Sequence, residues 1–219
     1  MKRGAPRPRA VPFRWRLVVM AKVPVAGGIK TRLAAEIGAA TAVRFARHCT
    51  AALLQRVAAD APWQTTIAIA PDPGRFSGVW PRGLQLRPQG GGDLGTRMQR
   101  IFNRTEPGPV VIIGTDVPRI ARAHIQAAFR LLGRHDVVFG PATDGGYWLV
   151  GLKRRPHVLQ PFRGVRWSTQ HALADTLDNL RGRSIARVAT LGDVDSAIDF
   201  ARCAAYFGRR VRAPFTEHR

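Results

Sequence analysis

Cysteine is scarce in this chain, with only Cys49 and Cys203 among 219 residues. Two thiols cannot staple a domain of this size, which excludes a disulfide scaffold. Both fall on the apolar faces of predicted helices, where a reduced thiol acts as a small buried hydrophobe. Long hydrophobic runs are missing too. The apolar run Leu17–Ala21 is cut by Lys22, short of the roughly 7–15 residues of a signal-peptide core. No stretch approaches the roughly 18 apolar residues of a membrane span, so a cytoplasmic protein is expected. The six histidines, at 48, 124, 135, 157, 171 and 218, show no HxH or HxxxH spacing, which argues against a zinc site. There is also no GxSxG elbow and no Cys/His pairing to suggest covalent hydrolysis.

Negative charge is scarce as well. The chain has 14 Asp and Glu against 35 Lys and Arg, a net charge of +21, and a pI near 11.8. A basic excess can signal nucleic acid, because Lys and Arg neutralise phosphates and release counterions. Here, however, only Lys2, Lys22, Lys30 and Lys153 are lysines, and GC-rich coding produces such an arginine skew without selection for binding. The arginines are dispersed, and no helix carries an unbroken basic face interleaved with aromatics. The charge still favours anionic small molecules such as nucleotides. The densest cluster, MKRGAPRPRAVPFRWR (1–16), holds six bases and three prolines and is expected to be a disordered, solvated arm.

What is present is a globular pattern, with 45% hydrophobic and 22% charged residues, enough for one domain with a sizeable core. Strands are expected at Leu17–Val23, Thr65–Ala70, Leu84–Arg87, Val110–Gly114, Val137–Phe139, Tyr147–Leu152 and Ile185–Ala189. The turn Pro71-Asp72-Pro73-Gly74 closes the second. Helical spacing covers Thr41–Ala59, Leu94–Phe102, Ile125–Leu132, Leu173–Leu180 and Phe200–Phe207. Strands alternating with helices predict an α/β fold, a mixed but mostly parallel sheet with helices on both faces.

In such sheets ligands bind beyond the carboxyl ends of the strands, so the loops there are the first to inspect. The loop AKVPVAGGIKTRL (21–33) has two glycines for close backbone approach, and Lys30 and Arg32 to meet phosphate oxygens. It is not a P-loop, because Pro24 and Ile29 stand where GxxxxGK[ST] requires glycine; a flexible loop with two solvated bases is the plain alternative. Asp116, in GTDVP (114–118), follows the most hydrophobic strand and suits a hard divalent cation, or else caps the next helix. Asp144-Gly145-Gly146 is either a hairpin turn or, with Tyr147 and Trp148, the wall of a sugar or base site. Asp195, in DVDS (193–196), either caps the last helix or faces Asp116 to complete a metal–diphosphate site.

Taken in order, AKVPVAGGIKTRL (21–33), QGGGDLGTRM (89–98), GTDVP (114–118), GPATDGGYWLVGL (140–152), WST (167–169) and DVDSAIDF (193–200) resemble a bacterial family. Its members are GT-A-fold glycosyltransferases of the arsenosugar-biosynthesis type, once a domain of unknown function. The resemblance spans Leu17 to Phe207 and leaves 1–16 and 209–219 outside a single transferase domain at 17–208. More distantly the pattern is similar to phospholactate and molybdenum-cofactor guanylyltransferases.

The resemblance implies that Ala21, Lys22, Gly27, Gly28, Lys30 and Arg32 bind the nucleotide, with Lys30 and Arg32 on its diphosphate. Gln89, Gly90 and Asp93 would line the base and ribose pocket. Asp116 and Asp195 would hold Mg²⁺ or Mn²⁺. Asp144, Gly145, Gly146 and Tyr147 would face the sugar or acceptor, closed by Trp167, Ser168 and Thr169. Lys30, Asp116 and Asp144 would carry the chemistry. The implied activity is metal-dependent glycosyl transfer from a nucleotide-diphospho-sugar to a small-molecule acceptor. The alternatives are a nucleotidyltransferase that releases pyrophosphate and, from another class, a basic nucleic-acid-binding module. The last gives Asp116, Asp144 and Asp195 no purpose, because carboxylates repel a phosphate backbone.

Overall fold

Apolar and β-branched runs supply the strands. In the computed structural model, which describes residues 14–25, 27–71, 80–155 and 157–207, these are β1 (Arg16–Lys22), β2 (Gln64–Ala70), β3 (Gln85–Pro88), β4 (Val110–Ile113), β5 (Val137–Pro141), β6 (Tyr147–Leu152) and β7 (Ile185–Arg187). They form one seven-stranded sheet in the order β3-β2-β1-β4-β6-β5-β7. Every neighbouring pair is parallel except those made by β6, which is antiparallel to both β4 and β5. The mixed, mostly parallel α/β sheet expected from the sequence is therefore present. β4 (VVII) is buried at all four positions, as a central strand covered on both faces requires.

The helices are α1 (Thr31–Ile37), α2 (Ala39–Ala58), α3 (Leu94–Arg104), α4 (Arg122–Leu132), α5 (Ala172–Asp178) and α6 (Ala197–Phe207). Leu53, Leu54 and Val57 of α2 and Ile125, Ala128 and Phe129 of α4 pack on one face of the sheet. Met98 and Phe102 of α3, with Leu173 and Leu177 of α5, cover the other. A third cluster joins Leu33 of α1, Ala42 of α2, Val194 and Cys203 of α6. It sits behind the loops at the carboxyl edge. No helix among the described residues is long and apolar enough to cross a membrane.

Two expectations change. Trp15 and Arg16, assigned to the arm, belong to the folded body. Trp15 stacks flat on Phe129 at 5.1 Å, and the Arg16 guanidinium is buried on Glu106 at 3.0 Å. Helix α1 adds to the expected elements: its seven residues are too few for a periodic pattern, and Leu33 is its one buried anchor. Residues 1–13 of the proposed arm, the turn residues 72–74 and the tail 209–219 lie outside the described residues.

Candidate active site

The strand order reverses between β1 and β4, and such a switch point opens a crevice at the carboxyl edge. The loop after β1 and the loop after β4 meet there. Lys30 immediately precedes α1 in the left-handed conformation, at φ 49°. A non-glycine residue adopts this conformation at a cost that its surroundings must offset. What offsets it is visible. The Lys30 side chain is only 6% exposed, and its Nζ lies 3.1 Å from Asp116 Oδ1 and 3.1 Å from Asp195 Oδ1. It also donates to the Val194 carbonyl at 2.7 Å. The Val194 amide in turn donates to the Asp116 carbonyl at 3.3 Å. One ammonium thus ties together three loops that are far apart in sequence.

Burial pulls the Lys30 pKa down, but the charges and hydrogen bonds of Asp116 and Asp195 more than offset it, so the pKa rises above its ordinary value. The two carboxylates keep outward access, with side chains 67% and 46% exposed. The helix-cap alternatives fall for both. α4 begins at Arg122, behind Ala121, well past Asp116. At α6 the capping pair is Ser196, whose hydroxyl receives the Asp199 amide, and Asp199, whose carboxylate receives the Ser196 amide. Arg32 is exposed, with its guanidinium 4.0 Å from Asp195.

Two more carboxylates complete this edge. Asp144 lies in the turn joining β5 to β6, where its Oδ1 accepts the Gly146 amide at 2.9 Å. The hairpin reading of Asp-Gly-Gly is therefore correct as geometry, while the carboxylate remains exposed. Gly145 is indispensable to the turn: its φ is 86°, and a Cβ would meet the Gln170 carbonyl at 2.2 Å. The segment after β7 docks on this hairpin through the Leu191 amide on the Pro141 carbonyl at 3.1 Å. That contact brings in Asp193, which was not among the expected site residues. Burial and the charges of Asp195 and Asp144 push its carboxyl above the ordinary range. Its signal in the sequence was the doublet Asp193-x-Asp195 in an acid-poor chain.

Other expected residues hold different posts. Gln89 is 3% exposed, and its amide donates to the Ala21 carbonyl at 3.1 Å and the Ala68 carbonyl at 2.9 Å. It pins the loop after β3 to β1 and β2 and does not face a base. This also fixes the role of Ala21, whose carbonyl is one of the two anchors, at the end of β1 before Lys22. Asp93 caps α3, accepting the Thr96 amide at 2.7 Å, and hydrogen bonding with Thr96 holds its carboxyl below the usual range. Gly27 and Gly90 both have positive φ, at 75° and 76°, and Gly28 donates its amide to the Val25 carbonyl at 3.1 Å.

On the expected acceptor side, Tyr147 is not an open platform. Burial drives its hydroxyl pKa up, and the ring packs edge-on against Phe139 at 5.1 Å. Trp148 is core, its indole donating to the Ala189 carbonyl at 3.0 Å. Trp167 lies on α3 at Gly95, where a Cβ would sit 2.6 Å from its ring. Ser168 has φ 61°, and the Thr169 hydroxyl donates to the Arg166 carbonyl at 2.7 Å. The WST segment therefore packs on α3 near Asp93, and the residue that follows it, Gln170, abuts Gly145 of the Asp144 hairpin. Cys49, also near Lys30 and Asp116, has its thiol pushed up to about 12 by burial and, like Cys203, is free and buried.

A divalent cation has a credible berth. Asp116 and Asp195 converge on the same Lys30 ammonium. Both offer hard oxygen donors with outward access, which suits an ion bound by one or two carboxylates plus substrate phosphates. No group of three His, Cys, Asp or Glu side chains arranged to hold a metal ion occurs among the described residues.

The sequence signature of a bacterial family described as uncharacterized proteins conserved in bacteria (DUF2064) matches residues 53–169. A candidate nucleotide-diphospho-sugar transferase from Desulfovibrio desulfuricans G20 is 26% identical over 91% of this chain and 90% of its own, with a TM-score of 0.81. The 4-diphosphocytidyl-2C-methyl-D-erythritol synthase of Anaerococcus prevotii DSM 20548 is 10% identical over 90% of this chain and 97% of its own, with a TM-score of 0.57. Glucosyl-3-phosphoglycerate synthase of Mycobacterium tuberculosis, solved with Mn²⁺, UDP and phosphoglyceric acid, is 12% identical over 90% of this chain and 78% of its own, with a TM-score of 0.51. No curated protein sequence matches the chain. The fold is that of the nucleotide-diphospho-sugar transferases and cytidylyltransferases.

Proposed function

The chain belongs to the DUF2064 family, and we propose that it is a metal-dependent glycosyltransferase that takes a nucleotide-diphospho-sugar donor and a small-molecule acceptor. The observation that carries this reading is the Lys30 ammonium held between Asp116 and Asp195 at the switch point of the sheet. The order of the six motifs supports the arsenosugar-biosynthesis type within this fold. Residues 17–208, extended to include Trp15 and Arg16, form the transferase domain.

Asp116 and Asp195 would hold Mg²⁺ or Mn²⁺, which would supply positive charge to offset the negative charge developing on a leaving diphosphate. Lys30 and Arg32 face the same oxygens. Lys30 is already oriented by its carbonyl bond to Val194, so it needs little reorganisation to stabilise negative charge in the crevice. The loop 21–28 and the loop 89–93, joined by the Gln89 amide, border the nucleotide. Asp144, exposed on its hairpin, accepts the proton of an acceptor hydroxyl. Asp193 beside it keeps negative charge on this side of the crevice.

A second reading, nucleotidyl transfer with release of pyrophosphate, draws on the same fold in a diphosphocytidyl synthase and would use the same Lys30 and Asp116. A thermal-shift panel separates the two. It tests UDP, GDP, their sugar conjugates and the four nucleoside triphosphates at fixed moderate salt, each with and without Mn²⁺, alongside a short duplex DNA. A metal-dependent shift with one diphosphate or its sugar conjugate supports glycosyl transfer and names the base. Preference for a triphosphate supports nucleotidyl transfer, and a metal-independent response to DNA alone defeats both.

A further inference from the structure

A second concavity lies on the α3 side of the sheet, below the loop at 89–93. Register there aligns Arg16 with Gln64, Val18 with Thr66 and Gln85, and Ala68 with Arg87. The opposite face of β1 and β2 carries the buried Leu17, Val19, Ile67 and Ile69, so the alternation along these strands leaves small and polar residues on this one. α3 turns Met98 and Phe102 into the core and presents Arg100, Ile101 and Arg104 to the trough as its wall. The cavity between them measures about 170 Å³.

Arg16, Arg87, Arg100 and Arg104 line this trough. Two are committed to the protein. Arg16 binds Glu106 at 3.0 Å, which neutralises the acid of the trough, and donates to the carbonyls of Arg14 and Pro107. Arg100 donates to the carbonyls of Gln89 at 2.6 Å and Gly91 at 2.9 Å. Arg87 and Arg104 are exposed and have no hydrogen bond or ion pair among the described residues. Val18, Ala68 and Ile101 add apolar surface. Neither chain end suits this charge, since residues 1–13 carry four bases and no acid, and 208–219 are also net basic.

We infer that the trough is a binding site for a small organic anion, with a phosphate or carboxylate group on Arg87 and Arg104 and an apolar body on Val18, Ala68 and Ile101. Planar guanidinium forks match both oxyanions, and Arg87 and Arg104 line the same trough. The site is coupled to the loop above it. The Arg100 guanidinium lines the trough and also fills the space beside Gly90, where a Cβ would lie 2.6 Å from its Nη1. An anion in the trough therefore pulls on the group that supports residues 89–91. This inference does not depend on the transferase reading.

The test is a titration of the ¹⁵N-labelled full chain, free of metal and at fixed salt, with phenyl phosphate and separately with benzoate. Amide signals of Thr66, Arg87, Gly90 and Gly91 are expected to move along one saturating curve. In R87Q/R104Q the affinity should fall by about tenfold or more, as loss of charged hydrogen bonds dictates, while R32Q leaves it unchanged. Binding of either probe with this pattern supports the site and tells phosphate from carboxylate ligands. The proposal is overturned if neither probe saturates, if the moving signals surround Lys30 and Asp116 alone, or if R32Q and R87Q/R104Q weaken binding equally. Both substituted arginines are exposed and have no hydrogen bond or ion pair among the described residues, so the variant keeps its fold.

Discussion

The carboxylate cluster and the arginine trough are two charged regions of one sheet, and they differ in what their charges cost. At the carboxyl edge, Asp116 and Asp195 flank one buried lysine, and Asp193 interacts with Asp195 and Asp144, four of a total of 14 acids. Like charges are brought together there against their repulsion, which the rest of the fold must hold in place. In the trough, arginines come from an abundant stock and two of the four serve as struts. In a chain of net charge +21, the rarer sign is the more informative. A residue drawn from a small pool into a strained cluster is harder to explain by composition than one drawn from a large pool.

Asp116→Asn tests the cluster most severely. Turnover should fall by at least about a hundredfold, the scale set by losing one preorganised electrostatic contact in a site of this kind, and Mn²⁺-dependent stabilisation by nucleotide should vanish. The exposed Asp116 is not a core residue, so circular dichroism should show an intact fold. Undiminished turnover would remove Asp116 from the site. Lys30→Met comes next. It leaves two carboxylates facing each other without their cation, and after solvent screening of the exposed partners the cost is about 1–2 kcal/mol. Mn²⁺ alone should then raise the melting temperature of the variant more than that of the wild type, because the ion supplies the positive charge that the two carboxylates have lost. Equal responses would mean that Lys30 and the ion do not share the carboxylates.

The central strand and the α/β alternation were legible because burial on both faces leaves an unmistakable apolar run, as in VVII at 110–113. The direction of β6 was not. YWLVGL reads the same whether its neighbours run parallel or antiparallel, and only the Asp144 turn hinted at reversal. The acids of the candidate site were visible as residues following strands. The hub that joins them was not, because the bond from Lys30 to Asp195 spans 165 positions and no local pattern encodes it. Gln89 misled for the opposite reason. The resemblance assigned it to the nucleotide pocket, yet its buried amide bridges two backbone carbonyls.

Asp193→Asn probes repulsion within the cluster and carries the opposite sign to Lys30→Met. Burial and the neighbouring Asp195 and Asp144 disfavour its charged form, so neutralising it should stabilise the protein at neutral pH. With solvent screening the gain is a few tenths of a kcal/mol, or about one degree in melting temperature. A lower melting temperature would show that Asp193 is held by favourable partners.

Asp175 supplies the contrast that the cluster needs, an acid paired with an arginine in the ordinary way. It accepts the Arg166 side chain at 2.7 and 2.9 Å and the Arg166 amide at 3.0 Å. These hydrogen bonds, with the guanidinium charge, hold its carboxyl well below the usual range. A carboxyl whose folded pKa is depressed stabilises the fold above its unfolded value, near 3.8, and loses that contribution as pH falls through the lower folded value. Asp175→Asn should therefore lower the melting temperature slightly at pH 7, the smallest effect of the four. The gap from wild type should stay level down to about pH 5 and narrow as acid protonates the wild-type carboxyl. Added salt should shrink it as well, because the Arg166 side of the pair is exposed to screening. Turnover at neutral pH should be unaffected if Asp175 only fastens the segment carrying Trp167. A gap that widened in acid would mean the carboxyl is destabilised by its surroundings, and Asp175 would then resemble Asp193 in kind.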